Sequence, residues 1–528
     1  MAHLIHHLVS RQAFLAPSAA ALLQRDRAWD YAELARQIED LARGLRGLGI
    51  LPGERVAIWL PKTLEGVALL LAISRMGGVL VPINPLLKPA QVTHILADSG
   101  ARALITQGAR LGTLGTHIPA LHDLRWTVCV DALPAGTHAE RGVTVDALRG
   151  MNARLPDEQG RTEHDLAALL YTSGSTGQPK GVALSHRNLL AGAASVAGYL
   201  GIRPDDRLLA VLPLSFDYGL SQLTIAFHAG ASCILLDYLL PRDLLKAITS
   251  HGATVLAGVP TLWHQLASQD WLPELASLRV LTNSGGRLPR PVIDRLRDAL
   301  PQAELYLMYG LTEAFRSTYL PPVELDRRPD SIGKAIPNAE VRVLHPDGTP
   351  CAPHEPGELV HRGPTVALGY WNDPERTAER YRPLPQAATG LPHPELAVWS
   401  GDRVRMDEEG FLYFIGRDDD MLKTSGYRVS PTEIEDVLYG SGLVREAAAI
   451  GVEDDILGQR IVVVVVPEEE HLVPDRLLQH CRANLPIYMH PAAIEIVSAL
   501  PVTPNGKVDR RRLREQFGAA PGTHMEPV

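Results

Sequence analysis

The stretch "YTSGSTGQPKG", residues 171–181, sets the hydroxyls of Thr172, Ser173, Ser175 and Thr176 around Gly174 and Gly177 and ends on Lys180. Successive backbone N–H groups in such a loop form a concave anion site, glycine lets that backbone approach oxygen atoms, and lysine adds a mobile point charge. The order is not that of the G-x-x-x-x-G-K-[ST] phosphate loop, because Pro179 precedes the lysine and Gly181 follows it. A Gly/Ser stretch alone also serves as a flexible linker. The apolar "AALLY" entering it and the lysine leaving it favour phosphate.

Three further clusters carry groups of the right kind. "LYLMYGLTEA" (305–314) runs from an apolar strand into Tyr309, Gly310, Thr312 and Glu313. Glu313 suits Mg²⁺, which takes one or two carboxylates plus phosphate oxygens; the same residues equally suit a helix start with Thr312 as cap. "WSGDRVRMDEEGFLYFIGR" (399–417) offers Asp402, able to accept from a ribose diol, and Arg417, or else a turn carboxylate and a surface arginine. "PVTPNGKVDR" (501–510) holds Lys507 in a Pro/Gly turn where a merely solvated lysine is also at home.

Composition narrows the classes. The chain has 528 residues, 45% hydrophobic and 21% charged, which suits a folded globular protein of two or three domains. A formal charge of −9 argues against a nucleic-acid partner, so any phosphate site must be local. Cys129, Cys233, Cys351 and Cys481 are far apart without a C-x-x-C pair, which suggests neither zinc nor a disulfide framework. No leader and no run long enough to span a membrane is expected, and a reducing, cytoplasmic setting follows. Of 51 basic residues only seven are lysine (62, 88, 180, 246, 334, 423 and 507), so the lysines are candidates for work arginine does not do.

The elements that must position these groups read as α/β. Leu34, Ile38, Leu41, Leu45 and Leu48 recur at spacings of four and three, which predicts an amphipathic helix from Tyr31. "RVAIWL" (55–60), "GVLVPI" (78–83), "ARALIT" (101–106) and "ASCILL" (231–236) predict buried strands of largely parallel sheets. "RYRPLPQAATGLPHPELAV" (380–398) reads as a proline-rich surface loop. After 417 a charged stretch begins a smaller pattern: a helix with Ser430 as N-cap and Glu433 at the capping-box position, the strand "RIVVVVVPEEE" (460–470) and a further helix. The expected division is 1–418 for an N-terminal domain of stacked sheets with covering helices, and 419–528 for a small, mobile α+β C-terminal domain.

Taken together and in this order, the four clusters resemble the adenylate-forming superfamily of acyl-CoA synthetases, nonribosomal adenylation domains and beetle luciferases, over roughly residues 10 to 515. The overall texture is similar to AMP-forming ligases associated with bacterial exosortase gene clusters. The resemblance implies a two-step reaction: a carboxylate attacks Mg·ATP to give an acyl-adenylate and pyrophosphate, then a thiol displaces AMP. It implies that Thr172, Ser173, Gly174, Ser175, Thr176, Gly177 and Lys180 hold the β- and γ-phosphates. By the same resemblance Tyr309 lies on adenine, with Gly285, Gly286 and Gly310 beside the nucleotide. Thr312 touches the α-phosphate, Glu313 binds Mg²⁺, Asp402 takes the ribose hydroxyls with Arg417 nearby, and Lys507 bridges the carboxylate and α-phosphate. Asp419 falls where the family hinges, and rotation there would bring Lys423 and Gly426 to the thiol. The acyl pocket is expected from Phe216, Asp217, Gly285, Phe315 and Arg316. Asp217 reads as an anchor for a substrate ammonium or as a local loop carboxylate. An inward Arg316 would favour a second carboxylate on the acid, an outward one the phosphates of coenzyme A. Ser400 stands where the family usually has threonine, and Arg287 where a small or acidic residue is usual. Coenzyme A is the expected thiol; the alternative is a stand-alone carrier protein's phosphopantetheine, loaded with an acyl group or amino acid.

Overall fold

The computed structural model describes residues 2–134, 141–172, 179–384, 395–417, 421–468, 474–501 and 508–518. Serine, threonine and glycine 173–177, Asp419 and Lys507 therefore lie outside the described residues, as does the side chain of Arg417.

Two large sheets form residues up to 417. In one, the strands Leu166–Thr172, Val79–Pro82, Arg55–Trp59, Ala103–Thr106 and Trp126–Cys129 run parallel. In the other, Ser232–Leu235, Arg207–Ala210, Val255–Gly258, Val280–Asn283 and Glu304–Tyr309 are parallel neighbours, followed by antiparallel strands from Thr318–Leu320 onward. Val79–Pro82, Ser232–Leu235 and Val255–Gly258 are buried at every position, because helices or the second layer cover both faces. Between the layers, helix Leu64–Arg75 is buried nearly all round, with Thr63 capping Gly66 N–H. The predicted amphipathic helix spans Tyr31–Gly47 and packs its Leu34, Ile38, Leu41 and Leu45 into the same core.

Register decides where chemistry collects. Gly258 pairs with Asn283 and Asn283 with Leu307, so the carboxyl ends of neighbouring strands lie side by side. The segments leaving them, around residues 211–217, 284–286 and 310–316, consequently share one edge, the usual ligand position in parallel α/β sheets.

From residue 421 a separate sheet comprises Leu422–Thr424, Tyr427–Val429, Val444–Asp454, Gly458–Pro467 and Ala493–Ile496. The unbroken valine run is explained by two cores: Ile461, Val463 and Val465 face one, and Val462, Val464 and Val466 the other. Helix Pro431–Gly440 begins where expected, but Ser430 makes no capping bond and Glu433 accepts from Gln91 of the N-terminal region instead of reaching back. The proline-rich stretch is also not loop throughout, since Tyr381–Pro383 pairs antiparallel with Leu396–Val398. Among the described residues no helix is long and apolar enough to cross a membrane.

Candidate active site

Thr172 and Lys180 are cross-strand partners, so the two sheet strands Leu166–Thr172 and Lys180–Ser185 hold both ends of the Ser/Gly stretch. Lys180 Nζ donates to Glu313 Oε1 at 3.2 Å and to the Tyr370 hydroxyl at 2.7 Å, and that hydroxyl donates to Glu313 Oε1 at 2.8 Å. Burial pushes the Lys180 ammonium down to about 8, with the Glu313 charge opposing and Arg428 assisting. Burial raises the Glu313 carboxyl, but Lys180, Arg428 and the Tyr370 hydroxyl outweigh it and hold the acid ionised, well below the usual range. Its Oε1 lies 3.7 Å from Arg428 Nη1. If Lys180 takes phosphate as the resemblance implies, affinity for ATP is expected to fall as pH rises through about 8, where the Lys180 ammonium is lost. Equilibrium binding from pH 6.5 to 9.5 reads this; in Lys180→Arg the fall should disappear, because guanidinium stays charged.

Across the cavity, Asp402 is 3% exposed and accepts from the Tyr309 hydroxyl. The Tyr309 ring itself packs among Val343, Leu359, Val404 and Leu412. Ser400 uses its hydroxyl twice, donating to Leu359 O at 2.6 Å and accepting from Asp402 N–H at 3.1 Å, so the exchange from threonine keeps the group that matters. Asp402 and Arg417 are backbone partners in adjacent strands.

One cavity is lined by Thr172, Gly285, Gly310, Thr312, Glu313 and Asp402 together with Lys423 and Gly426 from the C-terminal sheet. The latter sit on a hairpin, Leu422–Thr424 against Tyr427–Val429, whose turn residues Ser425 and Gly426 have φ of 51° and 80°. Positive φ at both positions is the requirement of a two-residue type I′ turn. Gly426 enters so closely that a Cβ there would come 2.6 Å from Val259 Cγ1. Tyr427 stacks on Tyr488 at 3.8 Å and faces Phe216.

The expected acyl-pocket residues divide. Phe216, Asp217, Gly285 and Arg316 line the cavity. Phe315 does not: its φ of 58° turns the fully buried ring onto helix His186–Tyr199, where a Cβ at Gly192 would overlap it. Arg316 points inward, and Asp217 is the first residue of helix Asp217–Ala229 rather than part of a loop. Arg287 reaches away to Asp330 with 77% of its side chain exposed, so it does not shape the pocket. Gly286 lies at the turn held by Asn283, whose amide donates to its carbonyl at 2.9 Å. Sequence reading missed Tyr370, which ties Lys180 to Glu313 from a stretch with no motif, and Arg428, whose signal was its place in "KTSGYR" beside Lys423.

The polar groups at the carboxyl edge of parallel strands, met by the hairpin of the C-terminal sheet, are what an adenylate-forming ligase requires. A family model of AMP-binding enzymes matches residues 9–371, and one of the AMP-binding enzyme C-terminal domain matches 433–507; the chain belongs to the AMP-binding enzyme family. Feruloyl-CoA synthase of Amycolatopsis sp is 34% identical over 520 residues, covering 96% of this chain and 98% of that one. The solved structure of o-succinylbenzoate CoA synthetase (MenE) from Bacillus subtilis, bound with a product analogue, superposes with a TM-score of 0.83 at 26% identity over 96% and 98% of the two chains. VinN in complex with L-aspartate superposes at 0.65, 32% identical over 78% of this chain and 98% of that one. The enzyme class is that of AMP-forming acyl-CoA synthetases, with ATP and coenzyme A as the cosubstrates the family implies.

Proposed function

We propose that this protein activates a carboxylic acid in the cavity bounded by Thr172, Glu313, Asp402 and the Lys423–Arg428 hairpin, with Lys180 bonded to Glu313 at its edge, and passes the acyl group to a thiol. The observation that carries this reading is that one cavity gathers groups from three distant motifs, Thr172, Thr312 with Glu313, and Asp402, together with the Lys423–Arg428 hairpin. A carboxylate oxygen attacks the α-phosphorus, the bond to the bridging oxygen breaks, and pyrophosphate leaves. A thiol sulfur then attacks the acyl carbon, the carbon–oxygen bond to AMP breaks, and the thiol proton passes to solvent. Activation matters because a free carboxylate is a poor electrophile.

The roles are those the family resemblance implies. Lys180 and the 172–177 stretch take the β- and γ-phosphates, Thr312 the α-phosphate, Asp402 with Tyr309 the nucleoside, and Arg417 the ribose nearby. Lys507 stabilises charge that builds between the carboxylate and α-phosphate. Glu313 fits Mg²⁺, because it is buried yet held ionised beside the phosphate lysine, and one carboxylate with phosphate oxygens is a usual Mg²⁺ donor set. The metal would neutralise phosphate charge there. Glu313→Gln is expected to raise the Mg²⁺ concentration needed for half-maximal exchange by about tenfold, one lost charge interaction of about 1.4 kcal/mol; an unchanged metal requirement counts against the assignment.

The chain divides near Asp419 into residues 1–418 and 419–528, a reading supported by the separate C-terminal cores. Coenzyme A is the thiol in the leading reading. Delivery to a carrier protein is the second, favoured by Asp217 at the cavity wall and the likeness to VinN solved with L-aspartate. The setting in this reading is cytoplasmic, as the scattered spacing of the four cysteines suggests. The test is ATP–pyrophosphate exchange across fatty, aryl, dicarboxylic and amino acids, followed by coenzyme A or a carrier protein offered with the best acid. Absence of exchange with every acid refutes the adenylation reading.

A further inference from the structure

Two clusters among the described residues set three metal-binding side chains within reach of a single ion: His6, His7 and Glu158, and His345, Cys351 and Glu355. The first is closed on itself. Its His7 Nδ1 accepts from the N–H groups of His3 and Leu4, which puts the ring proton on Nε2. Glu158 takes both histidines, at 2.9 and 2.8 Å, with Arg75 Nη1 at 3.2 Å. A protonated ring nitrogen is no metal ligand, and this carboxylate already has its counter-charge.

The second cluster is open, and backbone bonds fix the place of each member. His345 follows the strand Glu340–Leu344, and its N–H donates to Thr349 O at 2.9 Å to close a turn. Cys351 comes back beside the same strand, its N–H donating to Val343 O at 3.0 Å. Glu355 ends a second turn, where its Oε2 accepts from Ala352 N–H at 2.9 Å, so the carboxylate is aimed by the backbone. His354 ties that turn to Met406 O and to Glu408.

His345 Nε2 stands 3.4 Å from Glu355 Oε2, long for a hydrogen bond but close to the edge of about 3.3 Å between two donors each about 2.0 Å from a tetrahedral ion. Cys351 Sγ lies within 4.8 Å of both. The two longer side chains are 33% and 43% exposed and can move the further distance of about 1 Å that bonds to sulfur need. The sulfur is held in place: it packs against the core of Tyr309, and a Cβ at Gly357 would come 2.4 Å from it. Cys129, Cys233 and Cys481 are buried, whereas Cys351 is not. Thiolate, carboxylate and neutral imidazole sum to two negative charges, and Asp347 adds to the field at the sulfur with Arg403 opposing it.

We propose that His345 Nε2, Cys351 Sγ and Glu355 bind a zinc-type divalent ion, with water in the fourth position, clamping the two turns that join strands Glu340–Leu344 and Gly357–Arg362. The thiol proton passes to solvent as the metal–sulfur bond forms. Sulfur and imidazole select zinc over Mg²⁺, whose donors are oxygens, so the metal that accompanies ATP does not compete. Cysteine spacing alone does not announce such a site, because one thiol joins a histidine and a glutamate from neighbouring turns.

The experiment is cobalt substitution in the metal-free full-length protein, since a cobalt–thiolate bond gives a charge-transfer band in the near ultraviolet. That band is expected in the parent, lost on adding Zn²⁺ and absent from Cys351→Ser. His345→Ala and Glu355→Gln should each raise the cobalt dissociation constant by about tenfold or more. Zn²⁺ should raise the melting temperature of the parent and leave that of Cys351→Ser where it is. Metal-free variants melting with the parent report that they fold. No band in the parent, a band that survives Cys351→Ser, or cobalt bound as tightly by His345→Ala and Glu355→Gln as by the parent overturns the inference, and each leaves adenylation standing.

Discussion

Replacing Lys507 by alanine is expected to lower acid-dependent ATP–pyrophosphate exchange by about 10²–10³-fold, the usual cost of losing one preorganised donor to transition-state charge. Thioester formation from preformed acyl-adenylate should be nearly unchanged. The split follows from where charge changes. In the first half-reaction, negative charge gathers between the incoming carboxylate and the α-phosphate, and an ammonium placed there acts only while that charge is present. In the second, the reacting carbon is the acyl carbonyl. The chain on either side of 502–507 is well anchored, with Asp509 N–H donating to Pro501 O at 2.8 Å and Arg510 gripping both oxygens of Glu435 at 2.7 and 2.9 Å. Leu500 and Val508 belong to the core on one face of the C-terminal sheet, whereas Leu422 and Tyr427 belong to the core on the other. With the hairpin at Lys423 and Gly426 on the cavity, as here, the two faces would have to serve the site in turn. Exchange that persists in Lys507→Ala would refute the assignment.

Gly426→Val should give the converse result: exchange within about twofold of the parent, and thioester formation lowered about 10- to 100-fold. A β-branched residue at a φ of 80° strains the turn by about 1–3 kcal/mol, a cost to stability. Its side chain would also overlap Val259, against which Gly426 docks, and overpacking of about 1–3 kcal/mol there converts to roughly that range of rate. The overlap falls only on the arrangement with the hairpin in the cavity, whereas the strain belongs to the turn in every arrangement. Asp419→Pro, acting on the proposed hinge, is expected to share the phenotype. Equal loss of both half-reactions in Gly426→Val would mean that the hairpin serves adenylation as well.

Much of this was legible because it depends on local pattern. Helix Tyr31–Gly47 followed from apolar spacing, and the parallel strands from short β-branched runs. Lys180 and Glu313 were readable as polar groups next to strand ends, and Asp402 as a carboxylate of its motif although it lies within the strand Leu396–Met406. What escaped depends on contacts between distant residues. Tyr370 reaches Lys180 across 190 positions, and nothing in "LGYWND" announces it. Glu433 looks like a capping-box acid, but Gln91 claims it. Phe315 sits next to Arg316, yet a positive φ sends the two side chains to different places. The direction of Arg316 was open until the buried Asp217 settled it.

The bond between Lys180 and Glu313 bears on how the two proposed ligands enter. A phosphate arriving alone takes the lysine from the glutamate and leaves that buried anion to Arg428 and the Tyr370 hydroxyl; a cation arriving alone takes the glutamate and strands the ammonium. Arriving together, they leave both groups with a full counter-charge. Such heterotropic coupling is reciprocal, so nucleotide should tighten metal by the factor that metal tightens nucleotide. The resting enzyme would thereby discount stray orthophosphate and free divalent ions, and respond to their complex.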